Sequence, residues 1–264
     1  MASMLSLLLI NLFASLVLMT FAWWISVLMK NAGIADIFWG LGFVLIAWLT
    51  FLMGSGYAPR AMLLAALATT WGLRLAVHIW ARNRGEPEDR RYRALREKEG
   101  ERFWYKSIYT VFWLQGVLLW IISLVLQAGG ASATPAQWTW LDGLGVFLWT
   151  AGFVFETAAD WQLTQFKKNP YNKGKVMNRG LWKYTRHPNY FGESLIWWGL
   201  FVIVLSTPTS WWTIISPATI TFLLIRVSGV RLLESTIKKR RPEYEAYIRN
   251  TSAFFPWFPR KQGG

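Results

Sequence analysis

Cysteine is absent from the 264 residues, and histidine occurs only twice. Without thiolates there is no disulfide framework, no zinc–thiolate or iron–sulfur site and no cysteine nucleophile. Two histidines are too few for a histidine-rich metal centre. Charge is scarce as well: 16% of the residues are charged, against about 25% in soluble domains. Acids are scarcer than bases, 14 against 28, which leaves a net charge of +14. What fills the chain instead is apolar: 54% hydrophobic and 17% aromatic residues, 19 of them Trp. Several runs of about 20 nearly uncharged residues are each long enough to cross a hydrocarbon core. A disordered chain, a small secreted disulfide scaffold and an ordinary soluble enzyme are excluded. The sequence reads as a multi-pass membrane protein.

Seven apolar segments stand out, at about 4–29, 32–53, 61–81, 107–127, 138–161, 190–206 and 211–230. They predict an all-α integral membrane protein of seven transmembrane helices in a single domain, 1–264. The first segment has no basic residues before it and continues for more than 20 apolar positions, unlike a cleaved secretory signal. Basic residues orient the bundle. Of the 28 Lys and Arg, 9 fall in Arg82–Lys106, 7 in Lys167–Arg186 and 9 from Arg226 onward. The alternate loops 54–60, 128–137 and 207–210 contain Arg60 alone. By the positive-inside rule the N-terminus is outside, and loops 82–106, 162–189 and 231–264 are cytoplasmic. The same rule accounts for the pI of about 10.2 without a nucleic-acid partner, and contact with anionic lipid follows from it.

Ionisable side chains at membrane depth cost at least about 2.5–3.5 kcal/mol each on insertion scales, so each needs a reason. The spans contain Asp36, Arg74, His78, Glu156, Asp160 and Glu193. Counted from the nearest cytoplasmic basic residue, Asp36, Arg74, Asp160 and Glu193 each lie roughly 9–12 Å inside the boundary. A shared layer of that kind predicts a ligand-filled cavity in the cytoplasmic half. Buried ion pairs that merely fix helix register are the plainer alternative. Glu156 and Asp160, four residues apart, share a helix face.

The cytoplasmic segments carry more than tethers. Asp89–Arg102 predicts a charged surface helix. Lys167–Lys175 combines bases with turn residues and leads into Gly180–Glu193, where Tyr184, Arg186, His187 and Asn189 precede a membrane helix. Pro188 suits the first turn of that helix, whose N-terminus favours phosphate or carboxylate. After the seventh span come Arg231, Glu234, the four bases Lys238–Arg241 and the aromatics Phe254, Phe255, Trp257 and Phe258. A polyanion with flat rings fits such a surface, and a dinucleotide with a 2′-phosphate is one. No GxGxxG is present, so the route is not a Rossmann fold.

These residues carry a resemblance. The run Gly180–Glu193, with its core Arg186-His187-Pro188-Asn189-Tyr190, resembles the C-terminal domain of the steroid 5α-reductase family, bacterial branch included. The wider superfamily holds sterol reductases and isoprenylcysteine carboxyl methyltransferases. Ala35–Gly40, Trp71–Arg74, Asn83-Arg84-Gly85, Glu156–Asp160 and Phe254-Phe255-Pro256 are similar to the same family, so the likeness covers nearly the whole chain. It implies a seven-helix reductase that uses NADPH to saturate the 4,5 double bond of a 3-oxo-Δ4-steroid or similar lipophilic enone. Carried over residue by residue, the family's cofactor contacts fall on Glu156, Asp160, Lys167, Tyr184, Arg186, His187, Asn189, Arg231, Glu234 and Lys239. Eukaryotic members hold the 3-oxo group with a Glu on the second helix and a Tyr on the third. Here the second helix offers Asp36, and the third offers Trp71 and Arg74 but no Tyr.

The resulting expectation is conjugate reduction in the cytoplasmic half, with a neutral Asp36 stabilising the carbonyl oxygen, helped by Trp71 or Arg74. The substrate enters sideways from lipid, and the enzyme acts as a monomer in a bacterial inner membrane or, in a eukaryote, the endoplasmic reticulum. Two alternatives stand beside it. One is an S-adenosylmethionine-dependent methyltransferase of prenylated or lipid substrates, since the Arg-His-Pro element is shared. The other is a small proton or ion carrier using the same intramembrane charges.

Overall fold

The computed structural model describes residues 3–227, 230, 234 and 243–259. Among these, every regular element is helical, and one isolated parallel bridge pairs Thr185 with Ser252. The long helices are α1 (Met4–Met29), α2 (Ile34–Met53) and α3 (Ala58–Asn83), followed by the short polar α4 (Arg90–Glu99). Next come α5 (Phe103–Ser107), a π-turn at Ile108–Trp113, α6 (Leu114–Ile122) and α7 (Leu124–Ala131). The chain continues with α8 (Trp140–Lys168), α9 (Pro188–Val204), α10 (Ile215–Phe222) and α11 (Tyr244–Asn250).

Five helical stretches among the described residues are long and apolar enough to cross a membrane: Met4–Met29, Ile34–Met53, Ala58–Asn83, Arg90–Ile122 and Ser210–Val227. The chain is a membrane protein on that ground. The segments expected to cross at 138–161 and 190–206 correspond to α8 and α9, which are not among the five. The reason is physical. Helix α8 carries Asp142, Glu156 and Asp160, and α9 has 17 residues, about 25 Å of helix against a core of about 30 Å. The segment expected at 107–127 is interrupted at Ser123, whose hydroxyl donates to Trp120 O at 2.8 Å, and α7 starts anew after it.

Two compact units make up the chain: Met1–Thr139 with Val204–Ser216, and Trp140–Ile203 with Pro217–Gly264. In the first, α1 is apolar outside and partly polar inside. Its buried face is Leu7, Asn11, Ser15, Met19, Ala22 and Ser26, while Leu5, Leu9, Phe13, Val17, Phe21 and Trp24 are exposed. That inversion is what a lipid solvent dictates: small and polar side chains serve helix contacts, and large apolar ones meet the acyl chains. Asn11 Nδ2 donates to Thr50 Oγ1 on α2 and Gln127 Oε1 on α7, both at 3.1 Å, and Gln127 Nε2 donates to Ser123 Oγ at 2.8 Å. Helices α2 and α3 touch backbone to backbone at Gly40 and Gly72, where an added Cβ would lie 2.6 and 2.5 Å from the other's carbonyl oxygen.

The second unit is built on an antiparallel glycine seam. Gly145 and Gly152 on α8 are a heptad apart, as are Gly192 and Gly199 on α9. A Cβ on Gly145 would lie 2.6 Å from Gly199 O, and one on Gly152 2.7 Å from Gly192 O. Helices this close admit no Cβ at the glycine positions, against which Ile196 and Ile203 of α9 pack. Gly152→Ala is therefore expected to cost about 1–3 kcal/mol of stability. Gly143→Ala, on the same helix with nothing within 4 Å of the added carbon, is expected to be neutral or to stabilise by up to about 1 kcal/mol. Thermal unfolding of both variants in detergent checks the contrast, and equal effects would rule out the seam as the contact that aligns α8 and α9.

Candidate functional site

In the second unit the seam continues one turn on to Glu156, buried beneath α9: a Cβ on Gly192 would lie 2.5 Å from Glu156 N. Asp160, one further turn along α8, is also buried and accepts from Asn189 Nδ2 at 3.1 Å. Asn189 sits in the first turn of α9, just after Pro188. Its Oδ1 is buried and, among the described residues, has no hydrogen-bond partner. Three acceptor groups, Glu156, Asp160 and Asn189, thus line one end of the α8–α9 pair. Of these, the buried Asn189 Oδ1 is the acceptor suited to a donor such as an amide N–H or a sugar hydroxyl.

The segment 180–187 is pinned between α8 and the C-terminal stretch. Gly180 has φ +57°, and a Cβ there would meet Gln162 Oε1 at 2.5 Å, so glycine is required at this turn. Leu181 N donates to the same Gln162 Oε1 at 3.0 Å, and Trp182 Nε1 donates to Ala159 O at 3.1 Å. On the other side Arg186 N donates to Ser252 O and Trp257 N to Tyr184 O, both at 2.9 Å. Thr185 Oγ1 donates to Phe254 O at 2.9 Å, and the Tyr247 hydroxyl donates to Trp182 O. The Tyr184 ring stands edge-on to Phe258 at 6.0 Å.

Arg186 closes this junction. Its Nε and NH2 donate to the two carboxylate oxygens of Glu234 at 2.7 and 3.2 Å, and NH1 donates to Ile248 O and Thr251 O. His187 Nε2 lies 3.2 Å from Glu234 Oε1, and its ring stacks on Tyr190. Burial opposes a charge on Glu234, but hydrogen bonds from His187 and Arg186, with the field of Arg186, outweigh it and hold the carboxyl below its ordinary 4.5. Burial, with the Glu234 carboxylate nearby, pushes the Tyr244 phenol up.

The first unit holds a second polar cluster. Asp36, in the first turn of α2, accepts from Arg91 NH2 at 2.9 Å and from the Tyr92 hydroxyl at 2.6 Å, both on α4. Gln115 Nε2 donates to Tyr92 Oη at 3.0 Å. Alongside, Glu88 takes both Arg96 Nε and NH2, at 3.0 and 2.9 Å, and the Ala32 N–H at 2.7 Å. Burial works against charge on Glu88, but these bonds hold its carboxyl below the ordinary value. Trp71 is buried edge-on to Phe43 at 5.5 Å, and Arg74 follows one turn later, half-buried, on α3.

Of the residues expected at a cofactor site, Glu156, Asp160, Asn189, Tyr184, Arg186, His187 and Glu234 all belong to the second unit. Lys167 lies exposed at the end of α8. Arg231 and Lys239, with the cluster Lys238–Arg241, lie outside the described residues. Asp36, Trp71 and Arg74 belong to the first unit. Tyr92 and Gln115 had no signal of their own in the sequence. Tyr92 lies in a stretch dominated by charge, and only its partner Asp36 marks it.

Residues 22–251 match a family described as a protein of unknown function, DUF1295. The chain belongs to this family. DUF1295 includes steroid 5α-reductase-like proteins. An uncharacterized protein of Schizosaccharomyces pombe is 27% identical over 280 residues, which cover 94% of this chain and 79% of the yeast protein. A probable O-methyltransferase of Ustilaginoidea virens, ustE, is 44% identical over 46 residues, 17% of this chain and 16% of its own length. No solved structure matches the chain.

The Glu234 junction gives a pH dependence with a definite sign. A carboxyl held below its unfolded value stabilises the fold fully above that value and loses the contribution as pH falls through the folded one. Wild type is expected to unfold at a higher temperature than Glu234→Gln at pH 6, with the gap closing below about pH 4. A gap that stays constant from pH 6 to 3 would refute the role given to this carboxylate.

Proposed function

We propose that this DUF1295 protein is a membrane-embedded reductase that uses NADPH to saturate the double bond of a lipophilic enone such as a 3-oxo-Δ4-steroid. In this reading seven helices cross the membrane with the N-terminus outside. The dinucleotide is held in the cytoplasmic half, and the substrate arrives from the bilayer. The observation that carries the reading is the buried carboxamide of Asn189 beside the Asp160 carboxylate. The buried, unpartnered Asn189 Oδ1 and the carboxylate beside it fit the carboxamide N–H and ribose hydroxyls of a nicotinamide nucleotide. The bases of the loop after α8 fit its phosphates.

Saturating an enone adds a hydride at the β-carbon and a proton at the α-carbon, while negative charge develops on the carbonyl oxygen. NADPH, when bound, supplies the hydride. The chain supplies groups that bind, orient and stabilise. Asp160 and Asn189 orient by accepting hydrogen bonds. Arg186 has all three guanidinium nitrogens engaged by Glu234 and the 248–251 backbone, so it shapes the walls. In the first unit Tyr92 holds its proton at Oη against Asp36, with Gln115 fixing the phenol from the other side. The Tyr92 proton is thereby committed to Asp36, and the chain Gln115–Tyr92–Asp36 fixes the start of α2 against α4.

The second reading is a methyltransferase, favoured by one observation, the 46-residue match to ustE. The two separate by ligand. Purified protein in nanodiscs is expected to be stabilised thermally by NADPH and not by S-adenosylmethionine, with Asn189→Ala weakening the NADPH effect at least tenfold. Tyr92→Phe is expected to leave NADPH stabilisation intact and to lower thermal stability by about 1–3 kcal/mol, because Asp36 loses a donor and Gln115 an acceptor. Stabilisation by S-adenosylmethionine alone would reverse the choice.

A further inference from the structure

Helix α8 is not among the five apolar stretches because three acids lower its mean hydropathy, yet all three, Asp142, Glu156 and Asp160, are buried. The opposite side of the helix carries an apolar row, Trp140, Phe147, Val154 and Trp161, one residue in every seven. Each member of the row is between 60% and 75% exposed. From Trp140 to Trp161 is about 31 Å of helix, the thickness of a hydrocarbon core. A tryptophan closes the row at either end, where a membrane places its aromatic belts.

The turn of α8 that carries Trp161 also holds the segment 181–189. Trp182 Nε1 donates to Ala159 O, Asn189 Nδ2 to Asp160 Oδ1 and Leu181 N to Gln162 Oε1. The C-terminal stretch is bonded to that same segment, through Trp257 N to Tyr184 O and Thr185 Oγ1 to Phe254 O. Phe254 is buried against Phe191 of α9, but Phe255, Trp257 and Phe258 are each between 68% and 77% exposed. Pro256 and Pro259 fix φ within this tip, and the backbone bonds on its inner side hold the three rings out of the core. Lys183, next to Tyr184, is exposed as well. Arg260 and Lys261 follow in the sequence, outside the described residues.

We propose that Phe255, Trp257 and Phe258 form an interfacial anchor, seated in the headgroup zone of the leaflet that meets the Trp161 end of α8. The proposal rests on α8 crossing the bilayer, as the seven-helix reading has it. The shared hydrogen bonds put the tip at the depth of Trp161, where the apolar row ends. Phenyl and indole rings settle at that boundary because their faces leave water while the indole N–H still reaches it. The bases on either side of the tip meet lipid phosphates. The partner is therefore the chain's own bilayer, and the anchor fixes the depth of the junction around Arg186 and of Asn189 beyond it.

The chain has no cysteine, so Phe258→Cys, Phe147→Cys and Lys173→Cys each give one nitroxide label with no background. The full chain is placed in nanodiscs of phosphatidylcholine and phosphatidylglycerol. Power saturation then compares relaxation by oxygen, which concentrates in lipid, with relaxation by a neutral nickel chelate, which stays in water. At Phe147, in the middle of the apolar row, oxygen is expected to exceed nickel at least threefold. At Lys173, exposed beyond the end of α8, nickel is expected to exceed oxygen at least threefold. At Phe258 oxygen is expected to match or exceed nickel. A Phe258 label that behaves like Lys173, with Phe147 in lipid, would overturn the anchor and leave the crossing of α8 standing. A Phe147 label that behaves like Lys173 would sink both. A Phe258 label shielded from both reagents would also overturn the anchor, because a protein partner then covers the tip.

Discussion

The second unit depends on one constraint: two helices whose glycines let their backbones touch. Gly145 and Gly152 face Gly199 and Gly192 at distances that leave no room for a Cβ. At that separation Asp160 on one helix and Asn189 on the other, beyond the seam, meet at hydrogen-bond distance. A seam opened by even one methyl would draw Asn189 away from Asp160. The contact between Asp160 and Asn189 is thus a consequence of backbone approach.

A membrane solvent explains why polar groups elsewhere are knitted in pairs and triads. In lipid no water completes a missing bond, so Gln127 accepts from Asn11 Nδ2 and donates to Ser123 Oγ, and Arg60 gives its guanidinium to Pro135 O and Gln137 O at 2.9 and 2.8 Å. The same economy governs Arg186. A guanidinium that binds one carboxylate with two nitrogens and two carbonyls with the third ties three separate stretches of chain together. It holds Glu234 ionised where burial alone would favour the neutral acid.

Much of the architecture was legible because long apolar runs have only one outlet in lipid. The helices Met4–Met29, Ile34–Met53 and Ala58–Asn83 follow the hydropathy pattern closely, as does the charged helix that starts after Asp89. The break at Ser123 was hidden because Ser, unlike Pro, leaves hydropathy and helix propensity nearly unchanged. The glycine heptads of α8 and α9 could have been read from their seven-residue spacing, which carries the packing rule directly. Tyr92 was beyond reach: nothing local to α4 marks its phenol, and its role exists only where α4 lies across the start of α2. The polar ladder between 182–186 and 247–257 was equally hidden, since backbone hydrogen bonds leave no side-chain pattern.

The run Arg186-His187-Pro188-Asn189-Tyr190 therefore divides its labour. Arg186 and His187 face Glu234 and the C-terminal stretch, and they act on the fold. Pro188 starts α9 where a missing N–H costs nothing. Asn189 faces the other way, toward Asp160, and keeps one buried acceptor in reserve. A proline between the two sets is what makes the division possible. It fixes the backbone at the helix start, so that residues before it belong to the junction and the residue after it belongs to the α8–α9 seam. A motif that reads in sequence as one contiguous ligand-binding string is, in three dimensions, a structural clamp joined to a single chemical group. Likeness across such a motif thus speaks for a shared scaffold more strongly than for a shared reaction, because reductase and methyltransferase chemistry would need the same clamp.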